Sequence, residues 1–180
     1  LQIRAADELE DSGELPTGLT EFVDVPRPDE ATVTRRFDLT SVSTINHRAM
    51  DMGRVDEIVE AGSVEVWEIS NEHGSVHSFH PHLVHFMVVD IDGEAPPPHL
   101  QGWKDTVLVP PDSTVRIVAH FGDYADPVTP YMFHCHILDH EDRGMMGQFL
   151  VVEPGANTDP DNYTIAHDHD YDSGGGHSHH

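Results

Sequence analysis

Residues 131–146, Tyr-Met-Phe-His-Cys-His-Ile-Leu-Asp-His-Glu-Asp-Arg-Gly-Met-Met, decide how this chain is interpreted. They contain Cys135, the only cysteine in 180 residues, flanked by His134 and His136, with another histidine and a methionine shortly after. A thiolate, imidazoles and a weak thioether together form the ligand set of a blue-copper electron-transfer site. Successive side chains of an extended strand point to opposite faces, so Cys135 faces one way and both flanking histidines face the other. The stretch therefore predicts a strand with a thiolate-bound copper on one face and a second metal centre on the other.

A second cluster, His-Ser-Phe-His-Pro-His at 77–82, lies just before a predicted strand. His77, Cys135 and His140 complete a trigonal two-histidine, one-cysteine site with an axial methionine. The spacing after the thiolate strand favours Met145 as that axial ligand, with Met146 as its adjacent competitor.

Four histidines of the two clusters remain after this assignment: His80, His82, His134 and His136. Four imidazoles that converge on one side are typical of a multinuclear copper centre that handles O2. The other histidines before the C-terminal tail follow no such pattern, and we expect structural or surface roles for His47, His73, His85, His99 and His120.

Short β-type runs separated by turn residues begin at Val33, and helical periodicity of any length is absent. Residues 64–69 and 114–118 alternate apolar and polar side chains, so each has one buried face. About seven short strands in this arrangement predict an all-β, antiparallel sandwich or barrel of Greek-key type. The predicted strands are 33–39, 64–70, 83–91, 106–109, 114–120, 130–135 and 147–153.

Composition divides the chain into three parts. Residues 1–32 are polar and proline-punctuated, which predicts a linker or an inter-domain strap. Residues 33–153 form the β domain, and residues 154–180 are predicted to be a disordered, acidic, His-rich tail. Histidines 167, 169, 177, 179 and 180 of this tail could bind copper, but a solvated tail or a purification remnant is favoured. The first residues show neither an initiator Met nor a signal sequence, so we expect a piece of a longer protein or a processed product.

Acidic residues outnumber basic ones 33 to 9, and the formal net charge is −24. A charge this negative argues against nucleic acid or an anionic membrane as a partner, since both need basic patches. It is compatible with a halophilic protein whose self-repulsion is screened by salt, or simply with an acidic surface. No apolar stretch approaches the roughly 18–20 residues of a membrane span.

Residues 77–86 and 131–149 resemble the C-terminal copper motifs of multicopper oxidases such as laccases, copper-efflux oxidases and bilirubin oxidases. Residues 45–71 and 102–111 are similar to the same domain of that family, and the resemblance covers residues 33–153. It implies a C-terminal cupredoxin (plastocyanin-like) domain. The roles that it implies are type 1 copper ligands at His77, Cys135, His140 and Met145, a type 2 ligand at His80, type 3 ligands at His82, His134 and His136, and a proton-relaying carboxylate at Glu141.

The chain departs from the family pattern in two ways. Ser78 stands where the family usually has proline, and a proline appears instead at position 81. Leu83 stands where the family often has a small residue. The two further His-x-His pairs of the trinuclear cluster are missing, apart from His-x-His pairs in the tail. We therefore expect one whole type 1 site and half of a trinuclear site, completed by an N-terminal cupredoxin domain of the same enzyme, and an inactive isolated chain.

The resemblance implies that single electrons from a phenol, an aromatic amine or a metal ion pass to a cluster that reduces O2 to water. It also implies an extracytoplasmic or secreted location. A stand-alone blue-copper electron carrier is the main alternative, although it leaves four histidines unused. A copper nitrite reductase needs one histidine next to the cysteine, so His136 counts against it. A copper-storage module that uses the tail is the weakest alternative.

Overall fold

Two β-sheets enclose the hydrophobic core of the chain. The computed structural model describes Gly13, residues 22–122 and residues 124–165. Within these residues a four-stranded sheet has the order β1-β3-β7-β5, and a five-stranded sheet has the order β2-β9-β8-β4-β6. The strands are β1 Val33–Leu39, β2 Glu57–Glu60, β3 Val64–Asn71, β4 His77–Pro81, β5 Phe86–Ile91, β6 Val107–Val109, β7 Ser113–His120, β8 Asp126–Cys135 and β9 Met146–Val152. One short α-helix, α1 Leu138–Asp142, and three 3-10 turns at Pro28–Glu30, Pro98–Leu100 and Pro160–Asn162 complete the described elements.

The prediction of an all-β sandwich is confirmed, and the predicted strands all overlap strands of the structure. The antiparallel arrangement is wrong for two pairs, since β1 pairs with β3 and β2 pairs with β9 in parallel. Strand β2 was not predicted, because four residues bounded by two glutamates carry little pattern. The strand predicted from residue 83 begins only at Phe86.

Most of the histidine cluster at 77–82 lies in a strand, whereas the sequence pattern predicts it just before one. Residues His77–Pro81 are themselves strand β4, in the middle of the five-stranded sheet between β8 and β6. Leu83 then turns the chain toward β5 with a φ of +74°. This left-handed conformation is unfavourable for any residue with a Cβ, so the turn at Leu83 is strained.

Aromatic side chains from both sheets fill the interior. Trp67 on β3 is 1 % exposed, and its ring centroid lies 4.7 Å from that of Phe37 and 5.5 Å from that of Phe121. Phe133 and Phe149 from the opposite sheet meet the same indole edge to face. The same continuous core cluster contains the thiol of the chain and one methionine of the predicted copper site. The candidate site is therefore an extension of the core.

A partly buried ion cluster ties the two sheets together at another position. Arg35 on β1 donates hydrogen bonds to Glu65 on the neighbouring β3 and to Glu57 on β2 of the other sheet. Burial raises the pKa of the Glu57 carboxyl, although the Arg35 guanidinium opposes this. Such a cluster costs desolvation but fixes how the two sheets align.

The proposed domain boundaries need one adjustment. Residues 154–165, assigned to a disordered tail, contain the turn Pro160–Asn162, and Tyr163 and Ile165 pack against a small apolar cluster on β2 and β9. The disorder prediction is wrong for these residues, because the two apolar side chains give the segment something to bury. The remaining tail, with its histidines at 167, 169, 177, 179 and 180, lies outside the described residues, as does most of the predicted strap.

Among the described residues, no helix has the length and apolar character needed to cross a bilayer.

Candidate copper centre

Strands β4 and β8 are hydrogen-bonded neighbours, and their register brings the two histidine clusters together. Phe79 lies opposite Cys135, and His80 lies opposite His134. The backbone N–H of His136 donates to the Ser78 carbonyl at 2.7 Å, which continues the same register. Each strand therefore contributes residues to both faces of the sheet at the same height.

Alternation along β4 explains the spacing of its histidines. His77 is fully buried on the core face, whereas His80 and His82 lie on the opposite, partly exposed face. A step of three residues changes the face of a strand and a step of two keeps it. The pattern His-x-x-His-x-His thus sends one imidazole to the core side and two to the outside.

On the core side, three side chains converge on one point, and we name His77, Cys135 and His140 the thiolate group. The Cys135 Sγ atom lies 3.7 Å from His77 Nδ1 and 3.4 Å from His140 Nδ1. The two imidazole centroids are 5.0 Å apart. Two imidazole nitrogens and one thiolate within this distance fit a trigonal copper site.

After β8, which ends at Cys135, the chain returns to the thiolate group through α1. This helix carries His140, and Gly144 ends its turn with a φ of +89°, a conformation that glycine adopts without strain. The backbone N–H of Cys135 then donates to the carbonyl of Met145 at 3.0 Å. Met145 is fully buried in the same core cluster as Cys135, whereas Met146 starts β9 opposite His134. Met145 therefore lies in the core with Cys135, whereas Met146 belongs to the strand that pairs with β8.

Burial lowers the pKa of His77 to about 4, and the nearby His140 and His73 rings add to the effect. The imidazole is therefore neutral at physiological pH, and a neutral imidazole is the form that binds a metal. The Nε2 atom of His77 is buried and finds no hydrogen-bond partner among the described residues.

On the other face lies the histidine group, which we define as His80, His82, His134 and His136. The ligating atoms of the first three lie within 4.8 Å of one another, and the Nε2 atoms of His82 and His134 are 3.1 Å apart. The His136 ring is exposed, with its centroid 5.3 Å from that of His80 and 5.4 Å from that of His134. Burial is the main cause that lowers the pKa of both His82 and His134, so these imidazoles also favour the neutral form.

Outer hydrogen bonds orient two rings of the histidine group. The His80 Nδ1–H donates to the Asp105 carbonyl at 2.6 Å, and the Thr106 hydroxyl lies 3.2 Å from the same nitrogen. The His134 Nδ1 atom lies 3.2 Å from the carbonyl of Cys135 and 3.4 Å from the Glu141 carboxylate. Both rings therefore direct Nε2 inward, as metal-binding histidines with such partners do.

The structure brings together the predicted ligands and separates them into the two expected groups. Glu141, predicted from resemblance alone, lies beside His134. The sequence did not predict the contacts of Asp105 and Thr106 with His80. A backbone carbonyl and a hydroxyl on a neighbouring segment leave no local sequence motif. The individual ligand roles remain predictions.

A β-sandwich with buried thiolate and imidazole groups of this kind is a cupredoxin-like domain. The sequence model of the family "Multicopper oxidase" matches residues 22–155. The chain is 42 % identical over 113 residues to the multicopper oxidase mco of Staphylococcus haemolyticus, covering 61 % of this chain and 24 % of that protein. It is 36 % identical over 163 residues to the laccase of Haloferax volcanii, covering 82 % of this chain and 27 % of that protein. The crystal structure of a multi-copper oxidase from Pediococcus acidilactici superimposes with a TM-score of 0.71 at 32 % identity, over 81 % of this chain and 31 % of that one.

The chain therefore belongs to the multicopper oxidase family, and copper is its cofactor. It spans about a quarter of the length of the two curated relatives and about a third of the solved structure.

Proposed function

We propose that this chain is the C-terminal, electron-accepting domain of a laccase-like multicopper oxidase. In this proposal the thiolate group, with Met145, holds the type 1 copper, and the histidine group holds part of a type 2/type 3 trinuclear cluster. His80 serves the type 2 copper, His82 and His134 one type 3 copper, and His136 the other. Copper bound at the two groups supplies one-electron redox chemistry between a reducing substrate and O2. The substrate is a phenol, an aromatic amine or a metal ion.

The observation that carries the proposal is the position of Cys135 between the two groups. Its Sγ atom contacts both imidazoles of the thiolate group. Its backbone joins directly to His134 and His136, whose rings belong to the histidine group. A continuous covalent path therefore links the two groups through a few bonds. A protein that only carries electrons has no need of this path, which favours an oxidase over a stand-alone carrier.

The exposure of the two groups supports the direction of electron flow. His140 is only partly buried, whereas His77 and Cys135 are fully buried. His140, on the short helix α1, is therefore the residue of the thiolate group nearest to the protein surface. The reducing substrate would dock at this side, and water is kept away from the sulfur by the core.

Glu141 is proposed to move protons at the histidine side. Its carboxylate lies 3.4 Å from His134 Nδ1 and is about one-third exposed, so it reaches both the histidine group and solvent. Reduction of O2 to water consumes protons, and a carboxylate in this place can deliver them. It also orients the His134 ring.

The histidine group opens into a cavity of about 440 Å³ whose lining includes His80, His82, Asp105 and Tyr131. An open group of imidazoles with an exposed His136 leaves room for further ligands from a partner. We propose that an N-terminal cupredoxin domain of the same enzyme supplies them. The strap at 1–32, the domain at 33–153 and an extracytoplasmic or secreted location are part of the same proposal.

Replacement of Cys135 by serine tests the proposal. The Cys135→Ser protein is expected to lose the intense thiolate-to-copper absorption and, in the assembled enzyme, the oxidase activity. Its histidine group is unchanged, so it should retain copper there. A blue colour that survives the substitution would refute the assignment.

Copper stoichiometry separates the oxidase from the carrier. We expect about four coppers per assembled enzyme, counted by metal analysis with the thiolate absorption as internal standard. One copper per assembly, all of it in the thiolate group, would identify an electron carrier instead.

A further inference from the structure

A buried asparagine closes the loop that leads into His77. Asn71, the last residue of β3, is 1 % exposed. Its Nδ2 group donates to the carbonyls of Ser75 at 2.9 Å and Val109 at 3.0 Å, and its Oδ1 atom accepts from the backbone N–H of His73 at 3.0 Å. Since every polar atom of this side chain is used, Asn71 fastens the loop at two points and ties it to β6 at a third.

One of these points lies directly beside the thiolate group. Val109 on β6 is the register partner of His77 on β4. The amide of Asn71 therefore joins the end of one sheet to the backbone opposite His77 in the other sheet. A shift of this amide would move the strand pair that carries the His77 ring.

His77 depends on such backbone support more than His80 and His134 do. The rings of His80 and His134 are each oriented by a hydrogen bond from Nδ1 to a carbonyl oxygen. In contrast, His77 Nε2 is buried without a partner among residues 22–122 and 124–165. Metal-binding histidines commonly use their second nitrogen to fix the ring, so here the backbone and ring contacts must do it.

His73 supplies one of those ring contacts. Its centroid lies 5.5 Å from that of His77, on the loop fastened by Asn71. Its Nδ1 atom accepts from the backbone N–H of Ser75 at 3.2 Å, which closes the turn from within. The same imidazole therefore packs on His77 and holds the loop in shape.

We propose that Asn71 and His73 are positioning residues that fix the His77 imidazole for copper. The inference rests on the proposed role of His77 as a type 1 ligand and adds two residues outside the predicted ligand set. Neither side chain contacts the metal in this proposal. Both act through the backbone of residues 71–77 and through the packing of the His77 ring.

The first test compares Asn71→Asp with a matched substitution, Asn46→Asp. Aspartate keeps the shape of Asn71 and its acceptor but loses both N–H donors. Asn46 also closes a loop, accepting from the N–H of Asp38 at 2.7 Å and donating to the carbonyl of Arg36 at 3.2 Å. Three properties of the full chain are measured: copper(II) affinity by chelator competition, the thiolate-to-copper absorption with its electron paramagnetic resonance signal, and urea stability without copper.

Asn71→Asp is expected to lower copper(II) affinity by about 10- to 100-fold and to shift the absorption band. Asn46→Asp should lower the stability of the copper-free protein but leave affinity and band as in the wild type. If Asn71→Asp changes only the stability of the copper-free chain, Asn71 is merely structural and the inference is wrong. A wild-type chain without the thiolate absorption would instead refute the proposed function itself.

A second pair of variants keeps the test decisive if Asn71→Asp does not fold. His73 is partly exposed, so substitutions there leave the core intact. His73→Asn retains a short acceptor for the Ser75 N–H, as asparagine does in similar turns, whereas His73→Phe retains the ring but not the acceptor. We expect each variant to bind copper several-fold more weakly than the wild type, since His73→Asn loses the ring that packs on His77 and His73→Phe loses the acceptor that closes the turn. Wild-type affinity in both variants would overturn the role of His73.

Discussion

The stability of the copper-free protein should depend on pH through His77. Burial holds the pKa of this imidazole at about 4, below its ordinary value of 6.5. As pH falls below 6.5, the unfolded chain takes up a proton that the folded protein refuses until about pH 4. The unfolded state therefore binds more protons in this window, and stability is complete above pH 6.5 and is lost as pH falls.

The size of this effect follows from the two pKa values. One pKa unit corresponds to about 1.4 kcal/mol, so the difference between 6.5 and about 4 gives a loss of about 3 kcal/mol by pH 4. His77→Phe fills the same buried space with a ring that cannot titrate. The variant should therefore lack this part of the acid destabilisation.

The assay is urea unfolding followed by tryptophan fluorescence, with a chelator present, at several pH values between about 7.5 and 4.5. The many carboxylates, and His82 and His134, titrate in both proteins and cancel in the difference. We expect the free energy of unfolding of the wild type to fall by about 2–3 kcal/mol relative to His77→Phe across this window. Parallel pH curves for the two proteins would refute the low pKa of His77.

Two further substitutions test the surroundings of the site. Glu141→Gln removes the carboxylate that lies 3.4 Å from His134 Nδ1. We expect the blue absorption to persist while O2 reduction by the assembled enzyme falls about 10- to 100-fold. Equal loss of the absorption and of O2 reduction would contradict this role of Glu141. Gly147→Ala would place a methyl group 2.4 Å from Phe133 Cζ. This substitution should lower the free energy of unfolding, measured with urea, by about 1–3 kcal/mol. Gly53→Ala, with its nearest contact at 3.5 Å, is the control, and equal midpoints would show that the Gly147 site can relax.

The strands that the sequence predicts are those whose own residues show a strand-like pattern of apolar side chains. Residues 64–69 are rich in valine, tryptophan and isoleucine, and Trp67 and Ile69 place one face of β3 in the core. Strand β2, Glu57–Glu60, exists through its parallel pairing with β9, and that partner lies about ninety residues away along the chain. Strand β4 was missed because two of its three buried positions are His77 and Pro81, so Phe79 alone carries the apolar signal of a strand.

The sequence predicted the copper-binding residues more fully than the residues that hold them in place. The spacing around Cys135 implied two faces and two groups, because side-chain alternation is a property of the backbone itself. The spacing also favoured Met145 over Met146, whereas the return of the chain through α1 and Gly144 is visible only in the structure. The contacts made by Asp105 and Asn71 use carbonyl oxygens across the sheet, and no residue type encodes a carbonyl.

The sequence by itself determined the chemistry of this domain: which side chains can bind copper and which of them share a face of a strand. Both follow from residue type and from the two-residue period of extended backbone, which act over short distances along the chain. Only the tertiary structure decided that His80 lies opposite His134, that His77 Nε2 has no hydrogen-bond partner among the described residues, and that Asn71 bonds to the carbonyl of the residue opposite His77. These facts depend on strand register and on core packing, which are set by residues far apart in the chain.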